Sequence, residues 1–205
     1  AADVRAMNRS VAFTGDRRLL YDVNLRCRTA TRILVPVSTF RVRTSDDLYR
    51  RVGEVDWSQY IDADATLAVD AFLANAPFDN SMFVAQRTKD AVVDQFRRKV
   101  HQRPSVDTNR PDLRLNVHIA GTEASFAVDA SGDSLSRRGY RTRRGTAPLG
   151  EVLAAGIIAL TGWNAESPFV DPMCGSGTFV IEAAMKALRI APGIVRKYFG
   201  FMGWK

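Results

Sequence analysis

Asp171-Pro172-Met173-Cys174-Gly175-Ser176-Gly177-Thr178 is the stretch whose reading decides the fold. It lies between a short apolar run, Pro168-Phe169-Val170-Asp171, and a helical run from Phe179 to Leu188. Strand, glycine turn and helix together open a doubly wound α/β domain. Gly175 and Gly177 permit positive φ and let backbone approach a ligand closely. A helix starting after Gly177 offers free N–H groups and a positive dipole end to a carboxylate or phosphate. Asp171, at the end of the strand, can accept from an ammonium group. The two features suit a zwitterionic amino-acid moiety. A phosphate loop would need Gly-Lys-Ser/Thr where Gly177-Thr178-Phe179 stands. A dinucleotide fingerprint wants a third small residue where Val180 stands. A glycine-rich connector that binds nothing is the plain alternative.

Upstream of the turn, Pro148 opens a strongly apolar helix from Leu149 to Leu160, and Gly162 ends it. Downstream, Ala191-Pro192-Gly193 breaks the second helix. One strand is not a sheet, so either further sequence completes this domain or its first elements pack on the N-terminal part. From Ser131 to Thr146 the chain carries Arg137, Arg138, Arg141, Arg143 and Arg144 against Asp133 alone. Such a segment is expected on the surface or in a joint between domains.

The first two-thirds alternate strand-like and amphipathic runs. Ile33 to Val37 reads as a strand that Pro36 places at an edge. Ser45-Asp46-Asp47 caps a short helix through Leu48 and Val52. Thr66 to Leu73 is strand-like, and Phe83 to Val100 has helical spacing. Leu113 to Ile119 and Ser125 to Asp129 form an antiparallel hairpin around Gly121-Thr122.

The 205 residues carry a net charge of +7 and a pI near 9.8. Phosphates held by Lys and Arg release counterions, so a polyanionic partner fits; a merely basic soluble protein is the alternative. Cys27 and Cys174 are too few for a disulfide framework and lack metal-ligand spacing, which suits a reducing cytoplasm. No signal peptide and no long apolar span is read, so membrane insertion is not expected. The absence of Met before Ala1 suggests a start that is not native, or a processing boundary.

Two basic surfaces are candidates for RNA. One is the 83–100 helix, with Arg87, Lys89, Arg97, Arg98 and Lys99; a solvated face is the commoner explanation for such a helix. The other is Arg137, Arg138, Arg141, Arg143 and Arg144, with Tyr140 available for stacking; its alternative is a flexible linker. Trp57, Trp163 and Trp204 read as packing residues. His101 and His118 are isolated, so neither a metal nor a histidine base is expected.

The Asp171–Thr178 string resembles motif I of the THUMP-domain methyltransferases that modify guanine N2 in large-subunit ribosomal RNA, and of relatives that act on tRNA. Leu135-Ser136-Arg137-Arg138-Gly139-Tyr140-Arg141, Ala147-Pro148-Leu149 and Glu151-Val152-Leu153-Ala154-Ala155 resemble the segment before that motif. Asp90-Ala91-Val92-Val93-Asp94, Arg103-Pro104-Ser105-Val106 and Pro111-Asp112-Leu113 resemble its THUMP domain, an α/β RNA-binding module.

The resemblance implies an α/β fold in three parts. A THUMP-like domain, with an incomplete ferredoxin-like part, would span residues 1–131, and a basic linker 132–147. The start of a Rossmann-like methyltransferase domain would span 148–205. The implied cofactor is S-adenosylmethionine. Asp171, Gly175 and Gly177 would line its methionine end, and Pro172, Met173, Cys174, Ser176 and Thr178 would supply the turn. Pro148 and Leu149 would close over it. Glu182 is read as structural before it is read as a cofactor contact. The implied substrate is a guanine N2 amine in 23S rRNA. A tRNA guanine and a catalytically silent RNA binder are the rivals, and DNA fits poorly.

The family continues with an acidic residue for the ribose and then Asn-Pro-Pro-Tyr, which hold the cofactor and the target amine. Neither is found here. The chain is therefore expected to be truncated at both ends, inactive alone, with its catalytic residues outside it.

Overall fold

The computed structural model describes residues 1–141 and 149–205. In chain order the elements are β1 (Ala2–Met7), β2 (Ser10–Thr14), α1 (Arg17–Arg26), β3 (Leu34–Arg41), α2 (Ser45–Glu54), β4 (Thr66–Ala74) and α3 (Ser81–Val100). There follow β5 (Ser105–Val106), β6 (Leu113–Ala120), β7 (Glu123–Asp129), α4 (Glu151–Leu160) and α5 (Thr178–Ala187). They form two compact units, both discontinuous: residues 1–33 with 133–197, and residues 34–132 with 198–205.

The second unit is built on a five-stranded mixed sheet in the order β3-β7-β6-β4-β5. β6 alternates: Leu113, Leu115, Val117 and Ile119 are buried, and the residues between them are not. β7 answers with Ala124, Phe126 and Val128, in antiparallel register. Period-two burial of this kind covers one face of a sheet. β4 runs parallel to β6, with α3 in the connection between them. α3 buries Val84, Ala91, Val92 and Phe96, and its start is capped by the Asn80 side chain. Trp57 is fully buried in this core, and its indole N–H donates to Val52 O at 2.9 Å. Gln95 ties the region together, accepting from Trp57 N–H and donating to Gly53 O and Val55 O. β3 is an edge strand, as Pro36 indicates. The terminal residues return to this unit, with Lys205 N–H bonded to Tyr60 O.

The first unit joins the start of the chain to the glycine turn. α1 is capped by Asp16, and the segment after it carries much of the packing. Gly193 N–H donates to Leu25 O and Leu135 N–H to Thr31 O, while Arg28 donates to Met185 O and Ile190 O. α4 buries Ala154, Ala155 and Ile158 but leaves Leu153, Ile157 and Leu160 exposed, Leu160 to 89%. It is apolar all round, the signature of a helix suited to burial on more than one side.

Three expectations are revised here. Residues 168–171 form no strand, because a strand needs a neighbour for its N–H and C=O groups and none of the described residues supplies one. The segment from Ser131 is not a loose joint up to Arg141, since Ser131, Leu135 and Arg138 are buried. The β1–β2 hairpin and α1 were not foreseen, and the two strands of the hairpin are almost wholly exposed.

Candidate cofactor turn and basic surfaces

The turn from Asp171 to Gly177 is held by its own backbone. Asp171 Oδ1 accepts from Met173 N–H at 3.2 Å, and Gly177 N–H donates to Cys174 O at 2.8 Å. Gly175 (φ 53°) and Gly177 (φ 76°) are both left-handed. A residue with a side chain would carry a penalty of about 1–2 kcal/mol at either place. Gly177 is also the N-cap of α5, and with no side chain it leaves the first-turn N–H groups uncapped. A Cβ on Gly175 would meet nothing within 4 Å, so the space before the turn is open. Pro172 to Ser176 are exposed, Met173 to 91%. The turn thus ends on uncapped N–H donors at a positive helix end and begins with one carboxylate, Asp171. Leu149 is half-buried; Pro148, expected beside it, lies outside the described residues.

One side chain reaches the turn that composition did not single out. Arg141 donates from Nη1 to Ser176 Oγ (3.3 Å) and from Nη2 to Thr178 Oγ1 (3.1 Å). Its other contacts are Leu149 O (3.3 Å, from Nη2) and Glu151 Oε1 (3.0 Å, from Nε). It was grouped with the RNA-binding arginines, yet its head group sits on the glycine turn.

Behind the turn lies a buried charge cluster. Arg138 and Glu182 face each other at 3.4 Å with side chains 2% and 0% exposed. Arg138 also donates to Leu135 O, Cys27 O and Arg28 O. Tyr140 donates its hydroxyl to Glu182 Oε1 at 3.1 Å. Burial, and then the Glu182 charge, push the Tyr140 phenol well above the ordinary tyrosine range. Burial also lowers Arg28, with Glu182 opposing and Arg138 adding to the shift. Arg138 and Tyr140 were expected to meet RNA; their polar ends are instead committed inside the unit. Such burial is tolerable because the guanidinium has a carboxylate and three carbonyls. Glu182 accepts from both Arg138 and Tyr140 through Oε1.

Of the remaining basic positions, Arg137 is exposed and pairs with Asp133 at 3.4 Å. Arg143 and Arg144 lie outside the described residues. On α3, Arg87 is bonded to Asp46 and stacks over Tyr49 at 4.4 Å. Lys89 pairs with Asp90, Arg97 with Asp94 and Lys99 with Asp56. Lys99, followed by the Ser58 hydroxyl, holds the Asp56 carboxyl well below its usual range. Arg98 is exposed and donates from Nε to the Asp94 carbonyl of its own helix. Both cysteines are free, and the described residues contain no cluster suited to a metal. No described helix is long and apolar enough to cross a membrane.

The turn thus combines two left-handed glycines with an uncapped helix end. Comparison with protein families adds the class. Residues 1–34 match a ferredoxin-like domain of the large-subunit methyltransferase, 42–129 the THUMP domain, and 138–204 the RMKL-like methyltransferase domain. Taken together the three matches make the chain similar to the THUMP-domain methyltransferases. It is 47% identical to ribosomal RNA large subunit methyltransferase K/L of Syntrophotalea carbinolica over its whole length, and 46% identical to that of Magnetococcus marinus. In both cases it spans only 29% of the relative.

Among solved structures, a predicted N6-adenine-specific DNA methylase from Listeria monocytogenes superposes with a TM-score of 0.86 at 32% identity. A protein solved in complex with SAH gives 0.86 at 34%. Each comparison covers 98% of this chain and 53% of the other. TrmN from Thermus thermophilus gives 0.61 at 25% identity, over 86% of this chain and 50% of that one.

Proposed function

We propose that this chain is the RNA-binding and cofactor-turn portion of an S-adenosylmethionine-dependent methyltransferase acting on a guanine N2 amine of 23S rRNA. The observation that carries the reading is the turn itself. Gly175 and Gly177 leave no Cβ in the way, the first N–H groups of α5 are uncapped, and Asp171 begins the turn. The methionine carboxylate fits the helix end, and the ammonium fits the Asp171 oxygen not used in the turn. The SAH carried by one structural relative is in keeping with that assignment.

When bound, the cofactor supplies an electrophilic sulfonium methyl. The residues of this chain would hold its amino-acid end rigidly, and that alignment is the larger part of a transfer needing no strong base. No Asn-Pro-Pro or Asp-Pro-Pro string occurs among the 205 residues, so the groups that grip the target amine are not among them.

For RNA we propose the exposed end of α3, with Arg97, Arg98 and Lys99, and Arg137 at the start of the arginine segment. The surface ion pairs of Arg97, Lys99 and Arg137 are weak and exchange readily for phosphate. A preference for rRNA rests on the two relatives named for that activity.

The test takes the complete protein that contains this chain, labelled S-adenosylmethionine, and unmodified 23S rRNA and tRNA in parallel, with digestion to nucleosides. N2-methylguanosine from 23S rRNA alone is the expected result. Label in tRNA alone would keep the cofactor site and replace the substrate. Labelled N6-methyladenine, or no label in any RNA, would overturn the reading.

A further inference from the structure

We propose that Arg141 is a cofactor-positioning residue that reads the carboxylate of the bound amino-acid moiety. The proposal rests on the cofactor assignment above and adds a residue to it. A guanidinium has five N–H donors and no acceptor. Among the described residues four of them are occupied, by Glu151 Oε1, Leu149 O, Ser176 Oγ and Thr178 Oγ1. The fifth is on Nη1, the nitrogen already 3.3 Å from Ser176 Oγ, in the open turn that precedes α5.

Four anchors hold this head group in one place, with its side chain 17% exposed. Glu151 is its only carboxylate partner, and that contact is made through Nε, on the other edge of the guanidinium from Nη1. The free donor therefore adds a charge-assisted hydrogen bond, from a guanidinium partly balanced by Glu151, to the partial charge of the uncapped helix end. It sits beside the two hydroxyls that border the turn, which are themselves 3.4 Å apart. Arg141 also spans the two segments expected to enclose the cofactor, bonding residues 149 and 151 on one side and residues 176 and 178 on the other. A solvent-facing arginine meant for phosphate would have most of its donors free; this one has a single donor left.

The test compares the affinity of the complete protein for SAH and for its decarboxylated analogue, which keeps the thioether, the adenosine and the ammonium. Calorimetry on wild type, Arg141→Ala and Arg141→Lys reads binding without turnover. Loss of a charge-assisted hydrogen bond should weaken SAH about ten- to a hundredfold. Affinity for the analogue should stay within about twofold, since the group that Arg141 reads is already absent. Equal losses for both ligands would mean that Arg141 only shapes the turn, and unchanged SAH affinity would remove it from the site; either overturns the proposal. Should Arg141→Ala unfold by circular dichroism, Arg141→Lys, which keeps the charge but not the fork, carries the same expectation. Wild type binding neither ligand would instead refute the cofactor assignment itself.

Discussion

Replacing Glu182 with Gln removes a negative charge that faces the buried Arg138 guanidinium and also acts on Arg28. Glu182 Oε1 accepts from Arg138 Nε at 3.4 Å and from the Tyr140 hydroxyl at 3.1 Å. Its charge is also the main influence opposing the downward shift of Arg28. The carboxylate and its Arg138 partner have side chains 0% and 2% exposed, so water cannot take over the lost interaction. Glutamine still offers a carbonyl but brings an NH2 group toward existing donors. Breaking a buried pair from one side costs about 3–5 kcal/mol. At about 2–4 °C per kcal/mol for a chain of this size, melting should fall by about 6–20 °C. Hydrogen exchange followed by mass spectrometry locates the damage: α5 amides should exchange faster while those of β6 hold, because this helix and this strand belong to separate compact units. A loss for Glu182→Gln below about 1 kcal/mol, the range of an exposed pair, would refute the reasoning.

Further outcomes follow from the same geometry. Tyr140→Phe bears on alkaline stability: the phenol's pKa is raised in the fold, so above about pH 10 an unfolded tyrosine ionises first and stability falls as pH rises. The variant should show a shallower decline over that window in pH-dependent urea unfolding, and an unchanged slope would contradict the assignment. Gly139 has φ 97°, and a Cβ there would lie 3.2 Å from Val195 O, so Gly139→Ala should destabilise by at least about 1 kcal/mol in denaturant titration. Trp57→Ala, which empties the core beneath Val52 and Gln95, should cost about 3–5 kcal/mol and be read in the exchange of β6. Changing Arg97 and Arg98 together to Gln should weaken RNA binding and lower the salt-dependence slope by about 1–2, with no effect on SAH affinity.

The alternation of Leu113, Leu115, Val117 and Ile119 was legible because one face of a sheet is buried and the other is not. The Asp171–Thr178 turn was legible because positive φ demands glycine at two fixed places. β1 and β2 escaped notice because they bury almost nothing, so no period is imposed on their residues. The strand expected at 168–171 has the right composition, but pairing is a property of two strands and the second is not among the described residues. The arginine segment misled most. Composition treats Arg137, Arg138 and Arg141 alike, whereas the fold sends the first to solvent, the second against Glu182 and the third to the glycine turn. Only partners distant in sequence separate those fates. Nor can linear composition show that residues 1–33 join 133–197 in one compact unit.

The central claim is that the turn before α5 holds the amino-acid end of S-adenosylmethionine. Its most direct test is photo-crosslinking of methyl-labelled S-adenosylmethionine to the complete protein, followed by proteolysis and mapping of the labelled peptide. Label confined to the peptide carrying Asp171 to Thr178, and displaced by excess unlabelled SAH, is the result expected. Displaceable label on a peptide elsewhere, with this one unlabelled, would contradict the claim.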